Sequence, residues 1–336
     1  MKQIQLSKFG LDNLVLLDVP KPESLGKGEV LVRLYAASLN YRDSLVVEGK
    51  YNPKFPLPLV PCSDGAGEVV GVGEAVSEFE IGDKVLLQFA PLWIGKEATH
   101  RELRHTIGGP LPGTLREYAV VSEFGLVKMP THLSYEEGAT LPCAALTAWS
   151  GLYSFNQVKA GETVVVQGTG GVSIFALQLA KLAGATVIVT SSSDEKLKKA
   201  KSLGADYSIN YKETPEWGKE VRSITNKIGA DHIIEVGGAG TLEQSIAACK
   251  PFGVIHLIGI LAGRSGELNL LPAVMNNIKI QGLVVGGRNA FFDMNKAIES
   301  SKLKPVVDKV FPIENTKGAI EYLRSGSHFG KIVITI

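Results

Sequence analysis

The stretch "VVVQGTGGVS", residues 164–173, decides the fold of this chain, because a short apolar run ends there at three closely spaced glycines. The sequence resumes as "IFALQLAKLAGA", whose apolar residues recur with the period of a helix. A strand, a glycine turn and a helix start together expose backbone N–H groups that bind an anion. Gly170 lets the backbone approach a ligand and Val172 starts the helix, so we expect a dinucleotide pyrophosphate to lie against this turn.

The context of these glycines supports the same interpretation. The usual third glycine of the GxGxxG fingerprint is Ser173, which is small enough to let the helix pack on the strand with a slight spread. Six β-prone runs, separated mostly by helical patterns, predict a doubly wound parallel α/β sheet. In that context a dinucleotide-binding turn is favoured over a purely structural turn at the glycines. The runs are 163–167, 186–190, 206–210, 231–236, 254–259 and 279–285.

The strand after the glycine turn ends in "VIVTSSSDEKL", and this segment selects the coenzyme. An NAD site usually places a carboxylate at this point for the ribose 2′-OH. Here Ser191, Ser192, Ser193 and Lys196 offer hydroxyls and a cation, which suit a 2′-phosphate, so we expect NADP(H). The first carboxylate, Asp194, is expected in the first turn of the next helix. A capping box of Ser192 with Glu195 is a second, compatible role for the serines.

The first 130 residues have a different pattern, in which short β-prone runs are separated by Gly, Pro and Asp. The stretch "GAGEVVGVGEAV", residues 65–76, looks like a second nucleotide loop, but strand-type alternation follows it instead of a helix. We expect its glycines to mark bends in a partly open β-barrel. The final segment has two amphipathic helices and β-prone runs that can complete this domain. The predicted division is 1–130 with 288–336, and 131–287.

Composition excludes several classes of protein. The 336 residues carry 35 Lys and Arg against 34 Asp and Glu, so no strong field draws the chain to nucleic acid or anionic lipid. No stretch approaches the roughly eighteen apolar residues that cross a bilayer, and the start lacks a secretory signal, so we expect a cytoplasmic protein. The three cysteines form no CxxC pair, which argues against disulfides and against a cysteine-rich zinc site.

Five motifs, taken in order, give the whole chain a family resemblance: "AASLNYRDSLVVEGKY", "PCSDGAGEVVGVGEAVSEFEIGDKV", "LPCAALTAW", the glycine segment above and "HFGKIVI". The chain resembles the medium-chain dehydrogenase/reductase superfamily, and most of all its zinc-independent quinone-oxidoreductase-like branch and the alcohol dehydrogenase-like relatives. The resemblance implies a GroES-like substrate domain built from both chain ends, a Rossmann domain between them and an active site in the cleft.

The resemblance also indicates where a catalytic zinc would be held. The zinc alcohol dehydrogenases of this superfamily carry two cysteines and a His-Glu pair at positions that fall here on Asn40, Cys143 and the pair Ser63 and Asp64. Because catalytic zinc needs three soft or imidazole-type ligands, and one thiol and one carboxylate remain, we expect no catalytic zinc. His100 and His105 stand where the structural zinc lobe is missing, and we expect a polar surface helix there, since their spacing does not share one helix face.

The resemblance implies roles for residues near the reacting atoms. Asn40 is placed to donate to the substrate carbonyl or to the nicotinamide amide, and Tyr51 to polarise or protonate the product. Tyr51 has an alternative role as a ring that covers the barrel. Arg42 and Asp43 are expected to form a structural ion pair that orients this loop. Trp93 lines the substrate mouth or is packed in the core.

The resemblance implies further cofactor positions, among them the backbone at Thr169, Gly170, Gly171 and Val172. Thr147 is expected near the nicotinamide amide or phosphate, and Tyr211 beside the 2′-phosphate. Gly259 and Ile260 follow a strand whose carboxyl end should meet the ribose or nicotinamide. Lys331 either reaches the cofactor or is an ordinary solvated lysine.

These inferences predict an NADPH-dependent oxidoreductase that transfers a hydride to a quinone or α,β-unsaturated carbonyl without zinc, because conjugation spreads the developing charge over the acceptor. Two alternatives stay open: an alcohol or aldehyde dehydrogenase with a metal held by Cys143 and Asp64, and an NADPH-binding protein without turnover. The run "NIKIQGLVVGG", residues 277–287, predicts an edge strand that a homodimer would cover.

Overall fold

A computed structural model describes every residue from Met1 to Ile336. Its fifteen strands are β1 (Lys2–Leu6), β2 (Leu14–Asp18), β3 (Glu29–Leu39), β4 (Asp64–Val72), β5 (Lys84–Leu87), β6 (Tyr118–Ser122), β7 (Leu126–Lys128), β8 (Thr163–Gln167), β9 (Thr186–Ser191), β10 (Tyr207–Asn210), β11 (Ala230–Glu235), β12 (Cys249–Leu257), β13 (Lys279–Gly282), β14 (Val307–Pro312) and β15 (Lys331–Thr335).

Eleven α-helices connect these strands, together with short 3₁₀ and π-helical turns. None of the helices combines the length and the apolar character that a membrane span requires. The α-helices are α1 (Tyr41–Val47), α2 (His100–Arg104), α3 (Tyr135–Gly138), α4 (Leu146–Trp149), α5 (Gly171–Leu182), α6 (Asp194–Ser202), α7 (Trp217–Ile224), α8 (Leu242–Ala248), α9 (Leu271–Met275), α10 (Arg288–Ser301) and α11 (Thr316–Arg324).

The chain divides into two compact units. The outer unit comprises Met1–Leu146 with Val285–Ile336, and the central unit comprises Thr147–Val284. The sequence-based division differs mainly in assigning residues 131–146 to the central unit. These residues belong to the outer unit because α3 packs against β3 and β4.

The central unit contains the six-stranded sheet expected from the apolar runs. Its strand order is β10-β9-β8-β11-β12-β13, and every neighbouring pair is parallel. This is a doubly wound order whose direction reverses beside β8, the strand that ends at the glycine turn. The prediction of a parallel Rossmann-type sheet is therefore confirmed.

Burial on both faces explains why these strands are runs of branched apolar residues instead of alternating ones. Val164, Val165 and Val166 of β8 are completely buried, as are Ile233 and Ile234 of β11. The helices cover the two faces, and one core cluster joins the sheet to Trp217 of α7 and Ile246 of α8. The edge strand β13 is the exception, since Lys279 and Ile280 are exposed.

The outer unit contains a seven-stranded sheet organised by its longest strand, β3. The first half of β3 pairs with β6 and the second half with β15, while β4 pairs along the other edge of β3. Register shifts interrupt the β3–β4 pairing at two places, which bends the sheet as expected of a partly open barrel. The glycines of residues 65–71 lie in β4, so the prediction that this stretch is a strand and not a nucleotide loop is confirmed.

The two ends of the chain meet in this outer sheet. β15 pairs antiparallel with β3, and β14 pairs parallel with β15 at the edge. Ile332 and Ile334 of β15 join Leu6 and Leu39 in one buried cluster. The C-terminal segment thus returns to this sheet, which brings the start of β15 beside the end of β3.

Candidate active site

The glycine turn of the central unit has the features of an anion site. Gly168 adopts a φ of +71°, a conformation that L side chains rarely take. Gly170 is the N-cap residue of α5 and contributes no side chain to cap the helix. The N–H groups of the first turn, at Gly171, Val172 and Ser173, therefore stay available to a ligand oxygen. Thr169, between the glycines, is buried.

Ser173 occupies the position of the missing third glycine, and its hydroxyl has a hydrogen-bond partner within the turn. Its Oγ donates to the carbonyl oxygen of Gln167 at 2.7 Å, across the turn. The side chain is buried, so helix and strand accommodate it without leaving a polar group unpaired. The broken fingerprint is therefore compatible with the turn that the fingerprint normally forms.

The serines expected at the 2′-phosphate lie together at the end of β9. Ser193 accepts a hydrogen bond from the backbone N–H of Lys196 and donates its own N–H to Ser191 Oγ at 3.3 Å. The backbone N–H of Tyr211 donates to the Ser191 carbonyl at 3.1 Å, which brings that half-exposed tyrosine to the same place. These residues form one polar group at the carboxyl edge of the sheet, with Ser192 between its members.

One detail of this segment corrects the sequence analysis. The helix α6 begins at Asp194, and its N-cap is Ser193, not Ser192. Ser193 has extended backbone angles, as an N-cap residue requires. Asp194 lies in the first turn of α6 as expected, and its carboxylate accepts a hydrogen bond from Asn210 Nδ2 at 2.8 Å.

Gly259 and Ile260 lie beyond the carboxyl end of β12, beside the loop that follows β11. A Cβ on Gly259 would come within 2.3 Å of the Val236 carbonyl oxygen, so only glycine permits this approach. Ile260 is 43% exposed at the same edge. Thr147, the remaining expected cofactor residue of this unit, is buried, with its Oγ1 3.5 Å from the Val284 carbonyl oxygen.

A buried carboxylate that the sequence analysis missed supports the loops at this edge. Glu235, the last residue of β11, accepts hydrogen bonds from Gln167 Nε2 at 2.7 Å and Ser245 Oγ at 2.5 Å. Its other oxygen accepts from the backbone of Gly237 and Gly238 and from the Thr241 hydroxyl. An acid at the end of an apolar strand is the signal that could have identified it.

In the outer unit, three strand ends bring Asn40, one of the two expected catalytic residues, together with Asp64 and Lys331. Asn40 follows β3, Asp64 begins β4 opposite Ser38, and Lys331 begins β15, whose next residue is opposite Leu39. Lys331 is 3% exposed, and Asp64 is completely buried. The pairing of β3 with two neighbours thus determines which polar groups meet.

These residues and Ser63 form a closed arrangement that we call the polar ring (Lys331, Asn40, Ser63 and Asp64). Lys331 Nζ donates to Asn40 Oδ1 at 2.6 Å, and Asn40 Nδ2 donates to Ser63 Oγ at 3.4 Å. Ser63 Oγ donates to Asp64 Oδ1 at 2.9 Å, and Asp64 Oδ2 lies 3.6 Å from Lys331 Nζ. Lys331 Nζ also donates to the Leu39 carbonyl oxygen at 2.8 Å.

Burial dominates the electrostatics around the polar ring. It raises the pKa of Asp64, while Lys331 and the hydrogen bonds from Asn40 and Ser63 lower it. Burial also raises the pKa of the Cys143 thiol, and the Asp64 charge adds to that effect. Cys143 lies in a π-helical turn, Leu141–Ala145, that contacts β4. The thiol form is therefore favoured at this position.

Arg42 and Asp43 support the loop next to the polar ring. Their side chains form the predicted ion pair, 3.5 Å apart and largely buried. Arg42 also donates to the carbonyl oxygens of Ile107 and Gly109. Asp43 accepts from the Asn40 backbone N–H at 2.7 Å, which fixes the start of α1. Burial raises the pKa of Asp43 to about 6, and Arg42 opposes that shift.

Tyr51 lies close to this ion pair but not within the polar ring. Its ring centroid is 4.9 Å from the Arg42 guanidinium carbon, a cation–π distance, and its side chain is 46% exposed. Phe55 packs against it at 6.1 Å. The structure therefore places Tyr51 on a cationic neighbour, and both of its expected roles stay predictions.

The residues present do not match a catalytic zinc site. The positions that carry thiolate, imidazole and thiolate in the zinc enzymes hold an amide, a hydroxyl and a buried thiol, and a lysine ammonium lies among them. The structure contains no group of three or more His, Cys, Asp or Glu side chains arranged to hold a metal. This donor set is therefore poor for Zn²⁺.

The other residues singled out by the sequence have structural environments. His100 and His105 lie in and just after α2, which has no buried residues, so the predicted surface helix is confirmed. Trp93 is buried. None of Cys62, Cys143 and Cys249 forms a disulfide.

Two family models match the chain. Residues 26–131 match the alcohol dehydrogenase GroES-like domain, and residues 171–300 match the zinc-binding dehydrogenase domain. The first match lies in the outer unit, where the partly open barrel is found, and the second covers the glycine turn helix and most of the parallel sheet.

Similar proteins cover nearly the whole chain. A zinc-type alcohol dehydrogenase-like protein, C1773.06c of Schizosaccharomyces pombe, is 48% identical over 97% of this chain and 96% of its own length. An acryloyl-coenzyme A reductase of Sulfurisphaera tokodaii is 31% identical over 95% of both chains.

Solved structures agree with this relationship. A putative alcohol dehydrogenase of Sinorhizobium meliloti 1021 is 41% identical with a TM-score of 0.93, covering 100% of this chain and 98% of its own. A structure described as an NAD-dependent alcohol dehydrogenase is 36% identical with a TM-score of 0.91 and full coverage of both chains. With a parallel coenzyme-binding sheet, a GroES-like barrel and these relatives, the chain belongs to the medium-chain dehydrogenase/reductase superfamily and is related throughout to its oxidoreductases.

Proposed function

We propose that this protein is an NADPH-dependent reductase of quinones or α,β-unsaturated carbonyl compounds that works without a catalytic zinc. The observation that carries the proposal is the polar ring, because it presents the Asn40 amide at a position where the zinc relatives carry a ligand. An amide N–H is a neutral donor for an oxygen that gains negative charge. Such a donor suits an acceptor that already delocalises the charge.

When bound, NADPH supplies the hydride, and the acceptor becomes an enolate or quinol anion before protonation. Asn40 Nδ2 donates to the acceptor oxygen, where the charge develops. A single preorganised donor of this kind contributes about 3 kcal/mol to transition-state stabilisation. The conjugated acceptor lowers the demand on the protein, whereas an isolated ketone gains more from a Lewis acid.

Tyr51 is the proposed proton donor to the product anion. Its ring rests on the Arg42 guanidinium, and its partly exposed side chain can exchange protons with solvent. This proton would complete the reduction of the acceptor to the saturated carbonyl compound or quinol. A phenol can serve as a general acid in this step.

NADPH is the proposed coenzyme because of the group at the end of β9. Ser191, Ser192 and Ser193 provide hydroxyls, and Lys196 and Tyr211 belong to the same edge. Asp194 is the nearest carboxylate of this segment, and it is engaged by Asn210. The NAD named in the description of one solved relative applies to that protein.

The experiment that tests the proposal supplies NADPH and a panel of quinones, enones, enoyl thioesters and simple aldehydes to chelator-treated protein. We expect turnover of at least one conjugated acceptor, with NADPH preferred to NADH by about tenfold or more, since a hydrogen bond to a charged group contributes about 1.5–3 kcal/mol and about 1.4 kcal/mol is tenfold in affinity. Elemental analysis of the protein as purified, before any chelator is added, should find less than about one zinc in ten chains. Turnover restricted to simple alcohols and aldehydes, or dependent on added zinc, would contradict the proposal.

A second candidate function is alcohol or aldehyde interconversion with a metal held by Cys143 and Asp64. The names of the relatives favour it, since several are described as alcohol dehydrogenases. Stoichiometric zinc in the purified protein would support it. NADPH binding without turnover of any acceptor in the panel would instead favour a coenzyme-binding protein that is not an enzyme.

We also propose that the protein is a homodimer formed through the edge strand β13. Ile280 of β13 and Val284 just beyond it are 37% and 48% exposed, which is unusual for branched apolar side chains at a sheet edge. Pairing with a second copy across a two-fold axis would cover both and remove the unpaired edge.

A further inference from the structure

Lys331 is the group at the candidate active site that the proposed function has not yet used. Its side chain is almost completely buried, and its ammonium has three oxygen neighbours: the Leu39 carbonyl at 2.8 Å, Asn40 Oδ1 at 2.6 Å and Asp64 Oδ2 at 3.6 Å. A lysine ammonium has three hydrogens and no acceptor; two of its neighbours here are hydrogen-bond acceptors, and the third, Asp64 Oδ2, is an ion-pair partner. The lysine is therefore built into the site rather than placed on its surface.

The surrounding charges balance with the ammonium in place. Arg42 pairs with Asp43, and Lys331 pairs with Asp64, so two cations face two carboxylates. All four side chains are largely buried. A divalent cation added to this group would leave two positive charges without partners in a poorly solvated place. The site thus carries its cation as a side chain.

The ammonium also determines the orientation of the Asn40 amide. Lys331 Nζ can only donate, so the Asn40 atom 2.6 Å away must be the carbonyl oxygen Oδ1. The amide nitrogen Nδ2 then points to Ser63, whose hydroxyl already donates to Asp64 and accepts from Asn40 through a long 3.4 Å contact. Nδ2 carries two hydrogens; its bond to Ser63 is long, and the Asp64 carboxylate is its other acceptor in the ring, so a substrate oxygen would compete with these two groups for Nδ2.

We propose that Lys331 is a positioning residue with two tasks: its ammonium holds Asn40 with Nδ2 as the donor to the substrate oxygen, and it excludes a divalent cation from the site. The first task rests on the proposed function. The second concerns metal binding alone and does not depend on any substrate.

The metal arm of the test rebuilds the ligands of a zinc enzyme with and without the lysine. The double variant Asn40→Cys with Ser63→His supplies a thiolate and an imidazole beside Cys143, and the triple variant adds Lys331→Met. After equilibration with Zn²⁺ or Co²⁺ and dialysis, we expect about one metal per chain, with a Co²⁺–thiolate absorption band, in the triple variant only. The double variant should bind at least about 100-fold more weakly, because its buried ammonium remains.

Equal metal affinity in the double and triple variants would overturn the exclusion of metal by Lys331. Failure of the triple variant to take up metal would overturn it as well. Circular dichroism and thermal melting of each apo protein identify any variant that does not fold, and in that case Lys331→Gln replaces Lys331→Met. This arm gives its answer even if the wild-type protein reduces no acceptor in the panel.

The kinetic arm uses Lys331→Met, Lys331→Arg and, as a matched control, Lys309→Met, which changes an exposed lysine on the adjacent strand β14. We expect Lys331→Met to lower kcat about 100-fold while the NADPH Kd, followed by fluorescence, stays within about twofold. Lys331→Arg keeps a cationic donor and should retain about a tenth of the activity or more. The control should equal the wild type.

An effect of Lys331→Met on the NADPH Kd instead of on kcat would overturn the positioning role. If Lys331→Met raises the NADPH Kd about tenfold and leaves kcat at saturating coenzyme unchanged, Lys331 binds the cofactor and does not orient Asn40. Activity of Lys331→Met equal to that of the wild type would contradict the proposal as well. Both outcomes are comparisons of a variant with an active wild-type enzyme. They can therefore be distinguished from failure of the proposed function, which the wild-type assay detects.

Discussion

His256 Nε2 lies 3.1 Å from His232 Nδ1, and the two rings stack with an angle of 6° between their planes. They stand on the neighbouring strands β12 and β11, inside the central unit. His232 Nε2 lies 3.1 Å from a carboxylate oxygen of Glu162. Neither histidine belongs to a recognisable sequence motif, and the pair exists because two adjacent strands place both rings on the same face of the sheet.

The histidine pair predicts a loss of stability in mild acid. Burial, with His232 nearby, lowers the pKa of His256 to about 3, and burial also lowers that of His232. The folded state therefore keeps His256 neutral, while the unfolded chain takes up a proton near pH 6.5. The stability is fully present above that pH and is lost as the pH falls towards the folded pKa, by about 1 kcal/mol per pH unit for one site.

The variant His256→Gln tests this prediction because it removes the titrating ring and retains hydrogen-bonding atoms. The unfolding free energy should be measured with urea at pH 7.5, 6.5 and 5.5 for both proteins. The wild type should lose more stability than the variant between pH 6.5 and 5.5. Parallel pH profiles would show that His256 does not contribute to the acid sensitivity.

The ion pair of Lys331 and Asp64 predicts strong thermodynamic coupling. Lys331→Met leaves the buried Asp64 carboxylate without its cation, and Asp64→Asn leaves the ammonium without its anion, so each should lower the free energy of unfolding by about 3 kcal/mol. The double variant contains neither charge and should be destabilised by about 1–3 kcal/mol less than the sum of the single effects. Urea unfolding of the four proteins measures this coupling, and simple additivity would refute it.

The variant Asn40→Asp removes the amide N–H donor while keeping a side chain of nearly the same size and shape. The carboxylate can still accept from Lys331, but it has no hydrogen for a substrate oxygen and adds repulsion to the developing charge. We expect kcat to fall about 10²–10³-fold with the NADPH Kd nearly unchanged. A rise in the NADPH Kd with little change in kcat would instead place Asn40 at the nicotinamide amide. Steady-state kinetics and coenzyme fluorescence titration measure both quantities.

Coenzyme selectivity can be tested at Ser193 without disturbing α6. Aspartate is as good an N-cap residue as serine, so Ser193→Asp keeps the bond from the Lys196 backbone N–H and adds a negative charge where we propose the 2′-phosphate. The KM for NADPH should rise about tenfold or more, while the KM for NADH changes little. Ser193→Thr, which caps without charge, serves as the control. An equal effect on both coenzymes would place the phosphate elsewhere.

The sequence predicted local features far better than long-range ones. The glycine turn and the six parallel strands follow from short patterns of apolar residues and glycines, and the structure contains them. The N-cap of α6 was placed at Ser192 instead of Ser193 because several adjacent serines can cap and only the backbone angles distinguish them. Short sequence patterns thus predicted the type of an element more reliably than the residue at which it begins.

Local sequence patterns could not predict the polar ring. Asn40, Ser63 and Asp64 were recognised as positions that lack zinc ligands, but Lys331 was expected at the cofactor or in solvent. Its contact with Leu39 joins residues that are 292 positions apart. That contact depends on the register of β15 against β3, which is determined by the packing of both chain ends in one core. A buried lysine becomes evident only when its neighbouring strands are known.

The proposed homodimer gives the last prediction. Ile280 lies at the exposed edge of the six-stranded sheet, where its side chain is 37% exposed, so Ile280→Lys should fold normally but oppose the pairing of two β13 strands. Light scattering at micromolar concentration should give twice the chain mass for the wild type and a shift towards the single-chain mass for the variant. Lys279→Arg, which preserves the charge on the same strand, should behave as the wild type. A wild-type mass equal to one chain would refute the dimer, and a dimeric Ile280→Lys protein would place its interface away from β13.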